Sequence, residues 1–284
     1  MTSTPPAGRA GATRRLVYLG TPAAAVPPLR ALLAAGHDVA LVVSQPDRRR
    51  GRGSALAASP VKAAALDAGL AVTDRVDDVL TAGAELGVVV AFGRLVRPHV
   101  LSAVPMVNLH FSLLPRWRGA APVERAILAG DTETGVCLMT LEAGLDTGPV
   151  HRCERLAIGE DESAGELRDR LVAAGTGLLV EELAAGLTPP QPQVGEATYA
   201  AKLGTDDLRL DWARPADELE RVVRTGGAWT VLDGRRLKVH RACAHRITGT
   251  GVPVPTATTP LELLEVQPEG RPRMPAAAWA RGRQ

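Results

Sequence analysis

The sequence contains little cysteine and nothing that suggests a metal site. Three cysteines, Cys137, Cys153 and Cys243, are present in 284 residues. They form no Cys-x-x-Cys pair and have no zinc-type spacing to histidine, so the pattern predicts neither a disulfide framework nor a bound metal. We therefore interpret the three cysteines as structural or incidental residues and expect no metal cofactor.

The sequence also lacks a long apolar run. Its longest apolar stretches, such as residues 86–92, are interrupted by charge or glycine well before the roughly 18 residues that a membrane span requires. We therefore expect no transmembrane helix and no membrane partner.

The first residues lack the continuous apolar core of a secretory signal. Residues 1–15 are rich in proline, glycine, alanine and threonine and contain three arginines. We predict a flexible tail over residues 1–14 of a cytoplasmic protein. Because the first acidic residue is Asp38, an organellar transit peptide stays open as the alternative.

The composition that remains is that of a globular protein. With 284 residues, 45% of them hydrophobic, the chain has the length and apolar content for two domains. The net charge is only +2, but the part from Tyr199 onward holds 14 lysines and arginines against 10 acidic residues. This excess is compatible with a phosphate backbone as partner and also with a solvated surface.

Up to residue 187 the chain alternates short β-rich runs with helical patterns. The predicted strands are residues 16–19, 39–43, 86–91, 106–110 and 136–140. The predicted helices are residues 28–35, 61–68, 122–129 and 164–185, each followed by a glycine that ends it. The alternation predicts an α/β domain over residues 15–187 with a doubly wound, mostly parallel sheet.

Residues 188–198 break this periodicity. Their three prolines favour an extended, semi-rigid linker between two domains. The remaining residues, 199–284, contain one amphipathic helix pattern, 216–224, and three strand patterns, 229–232, 236–239 and 261–266. We therefore predict a small β-rich domain at the C-terminus.

The first strand does not continue into a dinucleotide-binding motif. Gly20-Thr-Pro follows it, but the full Gly-x-Gly-x-x-Gly pattern is absent, so a dinucleotide is not expected.

Two polar residues interrupt the otherwise apolar strand 106–110. Asn108 and His110 are two positions apart, so both side chains point to the same face near the carboxyl end of the strand. Open α/β sheets bind their ligands at that end. The alternative is that both side chains only satisfy backbone groups at a loop junction.

A carboxylate in a later loop is the third candidate. Asp146 lies between Gly144 and Gly148 after the strand 136–140, and glycines allow a close approach of backbone and ligand.

These residues resemble the 10-formyltetrahydrofolate-dependent formyltransferases. That family has an Asn-x-His on a strand, a Ser-Leu-Leu-Pro loop and a distal aspartate. The resemblance covers residues 16–186 and continues more weakly to the end of the chain. It implies that Asn108, His110 and Asp146 are catalytic.

The resemblance also implies a fold, a formyl donor and a folate site. The fold is a formyltransferase-type Rossmann-like domain followed by a barrel-like (OB-like) domain, in a monomer. The donor is 10-formyltetrahydrofolate, used as a cosubstrate. The implied folate contacts are Ser112, Leu113, Leu114, Pro115, Ala91, Phe92 and Gly93.

The basic segment formed by residues 44–53 and 59–62 resembles the inserted loop of the tRNA-directed members of that family, and Arg-Gly-Ala-Ala-Pro over residues 118–122 also fits them. The segment implies initiator methionyl-tRNA as the acceptor, with Arg52 entering its acceptor end. Arginines pair with phosphates and stack on splayed bases. The implied tRNA contacts are Arg48, Arg49, Arg50, Arg52 and Lys62.

Other acceptors and functions stay open. An amino sugar nucleotide or another small amine is the alternative acceptor, and a non-catalytic RNA-binding relative is the alternative function. The basic segment itself is also compatible with a solvated loop. In the second domain, residues 247–260 are short where two or more strands would be expected, so we expect an incomplete barrel.

Overall fold

The computed structural model describes residues 11–49, 56–245 and 249–282. The chain divides into two compact units. The first comprises Met1–Pro122, Glu133–Ala157 and Arg168–Ala200, and the second comprises Val123–Thr132, Ile158–Leu167 and Ala201–Gln284. The predicted linker, residues 188–198, falls within the first unit.

Sixteen strands are formed by the described residues. They are β1 (Arg15–Gly20), β2 (Asp38–Val43), β3 (Arg48–Arg49), β4 (Leu56–Ala57), β5 (Val72–Thr73), β6 (Leu86–Val90), β7 (Met106–His110), β8 (Arg118–Gly119), β9 (Glu133–Thr140), β10 (Val150–Ala157), β11 (Tyr199–Ala200), β12 (Trp229–Leu232), β13 (Arg235–Cys243), β14 (Val252–Val254), β15 (Leu261–Pro268) and β16 (Met274–Pro275).

Seven α-helices lie between these strands. They are α1 (Val26–Ala34), α2 (Pro60–Asp67), α3 (Pro98–Ala103), α4 (Pro122–Ala129), α5 (Ala164–Ala185), α6 (Ala216–Thr225) and α7 (Ala276–Arg281). Short 3₁₀ helices cover Ala23–Ala25, Val76–Thr81 and Asp206–Leu208. No helix of the described residues is both long and apolar enough to cross a membrane.

The first unit is built on a seven-stranded sheet of order β10-β9-β7-β6-β1-β2-β5. Strands β5, β2, β1, β6 and β7 are parallel to one another. Strand β9 pairs antiparallel with β7 on one side and with β10 on the other. All five residues of β6 and of β7 are buried, as expected for central strands of a sheet that is covered on both faces. The predicted α/β, mostly parallel fold is therefore confirmed.

The predicted elements of this sheet are found with small shifts at their ends. The five predicted strands correspond to β1, β2, β6, β7 and β9. The glycines that were predicted to stop the helices lie just beyond them, and Gly36 after α1 has a φ of +83°. That conformation disfavours a residue with a Cβ, so glycine is the residue that ends the helix there.

Helix α5 determines which face of β7 is available for a site. A Cβ on Gly175 of this helix would come within 2.9 Å of Val136 Cγ2 and 3.6 Å of Leu109 Cδ1. The helix therefore packs tightly on the face that carries Leu109. Since side chains alternate along a strand, Asn108 and His110 point to the opposite face.

The end of the predicted N-terminal tail is packed against the first unit. Residues 1–10 lie outside the described residues, whereas Arg14 is buried. Its backbone N–H donates to His37 Nδ1 over 3.1 Å, and its guanidinium donates to the Gly186 carbonyl. Burial and the charge of Arg14 lower the pKa of His37, which favours the neutral, accepting ring.

The prediction that the cysteines form no disulfide is wrong for one pair. Cys137 and Cys153 are bonded across the antiparallel strands β9 and β10, where they stand directly opposite each other. The sequence did not reveal this pair because β10 was not predicted. Five of its eight residues are exposed and three of these are charged, so it has no apolar period-two pattern.

The second unit contains an antiparallel sheet of order β12-β13-β15-β14, with β16 paired to β15. Helix α6 has a strongly amphipathic pattern, and its Leu219, Val222 and Val223 join the buried cluster that includes Val239 and Leu263 of the sheet. The predicted β-rich character is therefore confirmed. Strand β14 lies in the segment 247–260, so this segment contributes a strand to the sheet.

We expect the disulfide to be detectable by thiol titration. In denaturant without reductant, the protein should show one reactive thiol, that of Cys243, and three after reduction. Because the bridge closes a loop of 16 residues, its reduction should lower the free energy of unfolding by about 3 kcal/mol.

The matched control is Cys153→Ser, whose unfolding midpoint in urea should not respond to reductant. Three reactive thiols in protein that was purified and unfolded without reductant would contradict the bridge.

Candidate active site

The two polar residues of β7 are buried at the carboxyl end of a central strand. Asn108 is 8% exposed and His110 is 5% exposed. Asn108 lies opposite Val89 of β6 and Met139 of β9, and His110 lies opposite Cys137. Both residues are therefore flanked by β9 within the sheet, and the partners of the His110 ring come from the loops beyond the strand.

Both ring nitrogens of His110 face oxygen acceptors. Nε2 lies 2.9 Å from the carbonyl oxygen of Trp117, so we assign the Nε2 proton to this hydrogen bond. Nδ1 lies 3.6 Å from Oδ2 of Asp146. A proton taken up at Nδ1 therefore lies beside a carboxylate.

The carboxylate of Asp146 is held by backbone from a different loop. Its side chain is 12% exposed, and Oδ2 accepts a 2.8 Å hydrogen bond from the N–H of Gly119. Asp146 itself has a φ of +50°, a left-handed conformation that aspartate tolerates better than most residues with a Cβ.

Two glycines permit this arrangement. A Cβ on Gly148 would overlap the carbonyl oxygen of Thr140, so the loop that carries Asp146 packs against the end of β9 too closely for any other residue. Gly119 has a φ of +117°, and a Cβ there would lie 2.9 Å from the carbonyl oxygen of Ala200. Glycine at position 119 therefore allows its N–H to point at Asp146.

The predicted folate loop follows β7 directly. Ser112 is fully buried and donates its hydroxyl to the Arg116 carbonyl over 2.6 Å, so its side chain shapes the loop. Leu113, Leu114 and Pro115 are half-buried, and the bond between Leu114 and Pro115 is cis. These three side chains leave part of their apolar surface accessible.

The second predicted folate segment follows the neighbouring strand β6. Ala91 and Gly93 are exposed, while Phe92 is buried and its carbonyl accepts hydrogen bonds from Thr21 Oγ1 and Gln45 Nε2, each over 2.9 Å. Because β6 and β7 are adjacent and parallel, both predicted folate segments begin side by side at the carboxyl ends of these strands.

The predicted tRNA-binding residues are only partly described. Arg48 and Arg49 form β3, an exposed two-residue strand that pairs with β4, whereas Arg50 and Arg52 lie outside the described residues. Lys62 Nζ is bonded to both carboxylate oxygens of Asp47, over 2.8 and 2.9 Å. The Lys62 ammonium is therefore paired with a carboxylate of this chain, next to strand β3.

Several residues of the site were not predicted, because they act through backbone atoms or come from the supposed linker. The Trp117 N–H donates to Thr198 Oγ1, and the Arg118 N–H donates to the Thr198 carbonyl, each over 2.9 Å. Trp117 has a φ of +62°, an unusual conformation for a bulky residue. The only sequence signals here were the prolines and glycines, which indicate turns but no partners.

The titratable residues of the described part of the chain form no cluster that could hold a metal ion. The site thus consists of an amide, an imidazole and a carboxylate beside two loops that are partly apolar. Such a set can donate hydrogen bonds to a developing oxyanion and can hold a proton between two steps.

Comparisons with known proteins identify the family of this chain. The family model "Formyl transferase" matches residues 14–183, and the model of its C-terminal domain matches residues 202–284. The methionyl-tRNA formyltransferase of Clavibacter sepedonicus is 48% identical over 94% of this chain and 97% of its own length. The methionyl-tRNA formyltransferase of Dinoroseobacter shibae is 52% identical over 79% of this chain and 81% of its own length.

Solved structures share the fold at lower identity. An N-formyltransferase from Helicobacter canadensis, in complex with folinic acid and dTDP-3-aminofucose, superposes with a TM-score of 0.69 at 16% identity. The match covers 88% of this chain and 99% of that one. With both domain models matched and close relatives covered almost end to end, the chain belongs to the formyl transferase family.

Proposed function

We propose that this protein transfers a formyl group from 10-formyltetrahydrofolate to the amino group of methionine on initiator methionyl-tRNA. The observation that carries the proposal is the approach of Asp146 Oδ2 to within 3.6 Å of His110 Nδ1, at the carboxyl end of β7 and on the strand face that also carries Asn108. The acceptor is supported by the relatives named methionyl-tRNA formyltransferase, at 42–52% identity.

The chemistry of formyl transfer gives Asn108 and His110 a common task. Attack of an amine on the formyl carbon places negative charge on the former carbonyl oxygen, and this charge needs hydrogen-bond donors. Asn108 offers its amide N–H, and a protonated His110 offers Nδ1–H. A preorganised donor of this kind contributes about 3 kcal/mol to transition-state stabilisation in comparable acyl chemistry.

Asp146 and His110 then accept and transfer a proton. The attacking ammonium must lose a proton, and the leaving nitrogen of the folate must gain one. The carboxylate of Asp146, fixed by the Gly119 N–H, accepts a proton or stabilises it on His110 Nδ1, 3.6 Å away. Over the whole reaction the ammonium loses two protons: one goes to solvent when the free amine forms, and the second passes through His110 and Asp146 to the leaving nitrogen.

The folate cosubstrate has a flat, partly apolar ring system, which suits the surface formed by the loops after β6 and β7. The half-buried Leu113, Leu114 and Pro115 offer apolar contacts, and the exposed backbone around Ala91 and Gly93 offers hydrogen-bonding groups. We assign these segments to folate binding.

The exposed arginines of β3 are assigned to the RNA. Arg48 and Arg49 form an exposed strand that pairs with β4, and guanidinium groups pair with phosphates bidentately. The Arg48 side chain also donates to Gln45 Oε1 over 2.6 Å, which leaves Arg49 as the better test of a direct phosphate contact.

The decisive assay is formylation of initiator methionyl-tRNA by the purified protein with 10-formyltetrahydrofolate. Wild type should be active, and Asp146→Asn should lower kcat about 100- to 10,000-fold because the proton acceptor is lost. Asp67→Asn, at the exposed end of α2, is the matched control and should keep full activity. Formylation of an amino sugar nucleotide but not of the tRNA would overturn the proposed acceptor.

Arg49→Ala should raise the KM for tRNA up to about tenfold and reduce its dependence on salt, with kcat unchanged, because it removes one phosphate contact. Arg30→Ala, at an exposed position of α1, makes the same change in net charge and should leave the KM unchanged. Equal effects of both substitutions would mean that only overall charge matters. No effect of either would refute the role of Arg49.

A further inference from the structure

Residues 188–200 do not form a free connector, because hydrogen bonds along the segment attach it to the rest of the first unit. The backbones of Gln191 and Val150 exchange two hydrogen bonds of 2.8 Å. Further along, the hydroxyl and carbonyl of Thr198 accept the N–H groups of Trp117 and Arg118. The segment therefore runs beside the loops that carry the site.

The start of the segment is fixed by a buried histidine. Burial lowers the pKa of His151, which keeps the ring neutral at pH 7. Its Nδ1–H donates to the Thr188 carbonyl over 2.6 Å, and Nε2 accepts from the hydroxyl of Thr140 over 3.0 Å. Glu182 accepts two more hydrogen bonds from Thr188.

Between these anchors, we propose that Gln193 is a positioning residue for the reaction, which sets the place of Asp146 relative to His110. This inference rests on the function proposed above. Gln193 does not act on the substrate itself but through the loop that bears the carboxylate.

The contacts of Gln193 use its whole amide group. Nε2 lies 2.8 Å from the carbonyl oxygen of Asp146 and 2.8 Å from that of Gly148. Oε1 accepts from Nε and Nη2 of Arg118, over 3.0 and 2.6 Å. A primary amide has two N–H donors and an oxygen with two lone pairs, so all of its hydrogen-bonding capacity is satisfied.

These contacts demand glutamine specifically. Glutamate would place an oxygen against two carbonyl oxygens, and lysine would offer Arg118 no acceptor. Asparagine is one methylene shorter and would not reach both sides from the same backbone position. The chain length and the amide group are therefore both needed.

The loop that Gln193 holds needs external support. Asp146 has a left-handed backbone, which is disfavoured for a residue with a Cβ and therefore has to be held by its surroundings. The two Gln193 donors fix this backbone on both sides of Thr147. The carboxylate is held separately, by the N–H of Gly119.

Arg118 couples these two restraints. Its side chain binds Gln193, while the next residue along the chain, Gly119, supplies the N–H that binds Asp146 Oδ2. Gln193 therefore ties the backbone of Asp146 to the strand that holds its side chain. Loss of this tie should move the carboxylate away from Nδ1 of His110, and a displacement of about 1 Å in an active site can lower turnover 100-fold.

The test uses the full chain with Gln193→Ala and Gln193→Glu, beside Gln191→Ala as the matched control. Gln191 is exposed, and its side chain donates to the Pro189 carbonyl over 3.4 Å, away from the Asp146 loop. Both Gln193 variants should lower kcat about 10- to 100-fold, with KM for tRNA and for folate within about twofold of wild type. Gln191→Ala should retain wild-type kcat.

The glutamate variant separates positioning from simple attachment of the segment. It keeps an acceptor for Arg118 but loses both donors to the Asp146 loop, so the segment should stay attached through Arg118 while turnover is lost. Wild-type kcat in Gln193→Glu would overturn the proposal. This variant also decides the question if Gln193→Ala fails to fold.

A double-mutant cycle asks whether Gln193 acts through Asp146. In an Asp146→Asn background, adding Gln193→Ala should cost little further activity, because the group being positioned is already disabled. An equal fold-loss in both backgrounds would overturn the proposal and indicate a separate structural role.

Amide hydrogen exchange provides a readout that is independent of activity. Residues 142–148 should exchange faster in both Gln193 variants than in wild type, while β9 should remain unchanged. Unchanged exchange in residues 142–148 would overturn the inference whatever the enzyme does. An inactive wild type with the expected change in exchange would instead refute only the proposed function.

Discussion

The site depends on the need to satisfy two polar side chains that end a fully buried strand. Asn108 and His110 lie among apolar neighbours on β7, with α5 on the other face of the sheet. A buried imidazole without partners would destabilise the fold, so the chain beyond His110 turns back until the Trp117 carbonyl meets Nε2. The same return places Gly119 where its N–H can bind Asp146.

Much of this framework was predictable because it rests on local patterns. The period of two in β7 predicted that Asn108 and His110 share a face, and apolar spacing with a terminal glycine predicted the helix 164–185. The roles that the family resemblance assigns to Asn108, His110 and Asp146 remain predictions. The structure brings His110 and Asp146 within 3.6 Å.

The remainder of the structure was hidden for identifiable reasons. β10 is an exposed edge strand whose charged residues carry no apolar period, and the pairing of Cys137 with Cys153 follows only once that strand is known. Gln193 lies among prolines in a segment without periodicity, and a single glutamine carries no pattern that names its partners. Its function lies in contacts with residues 45 to 75 positions away in the sequence.

The way the chain alternates between the two compact units limits how the protein can be divided. Residues 123–132 and 158–167 belong to the second unit, although the first unit continues after each of them. A chain cut at residue 187, the end suggested by sequence, would keep these two segments without the rest of their unit. It would also lack Gln193 and Thr198, and with them the acceptors that hold Arg118 and Trp117. The catalytic region is therefore not a module that can be excised or exchanged at its apparent linker, and recombination between relatives should preserve residues 188–200 together with the loops that they bind.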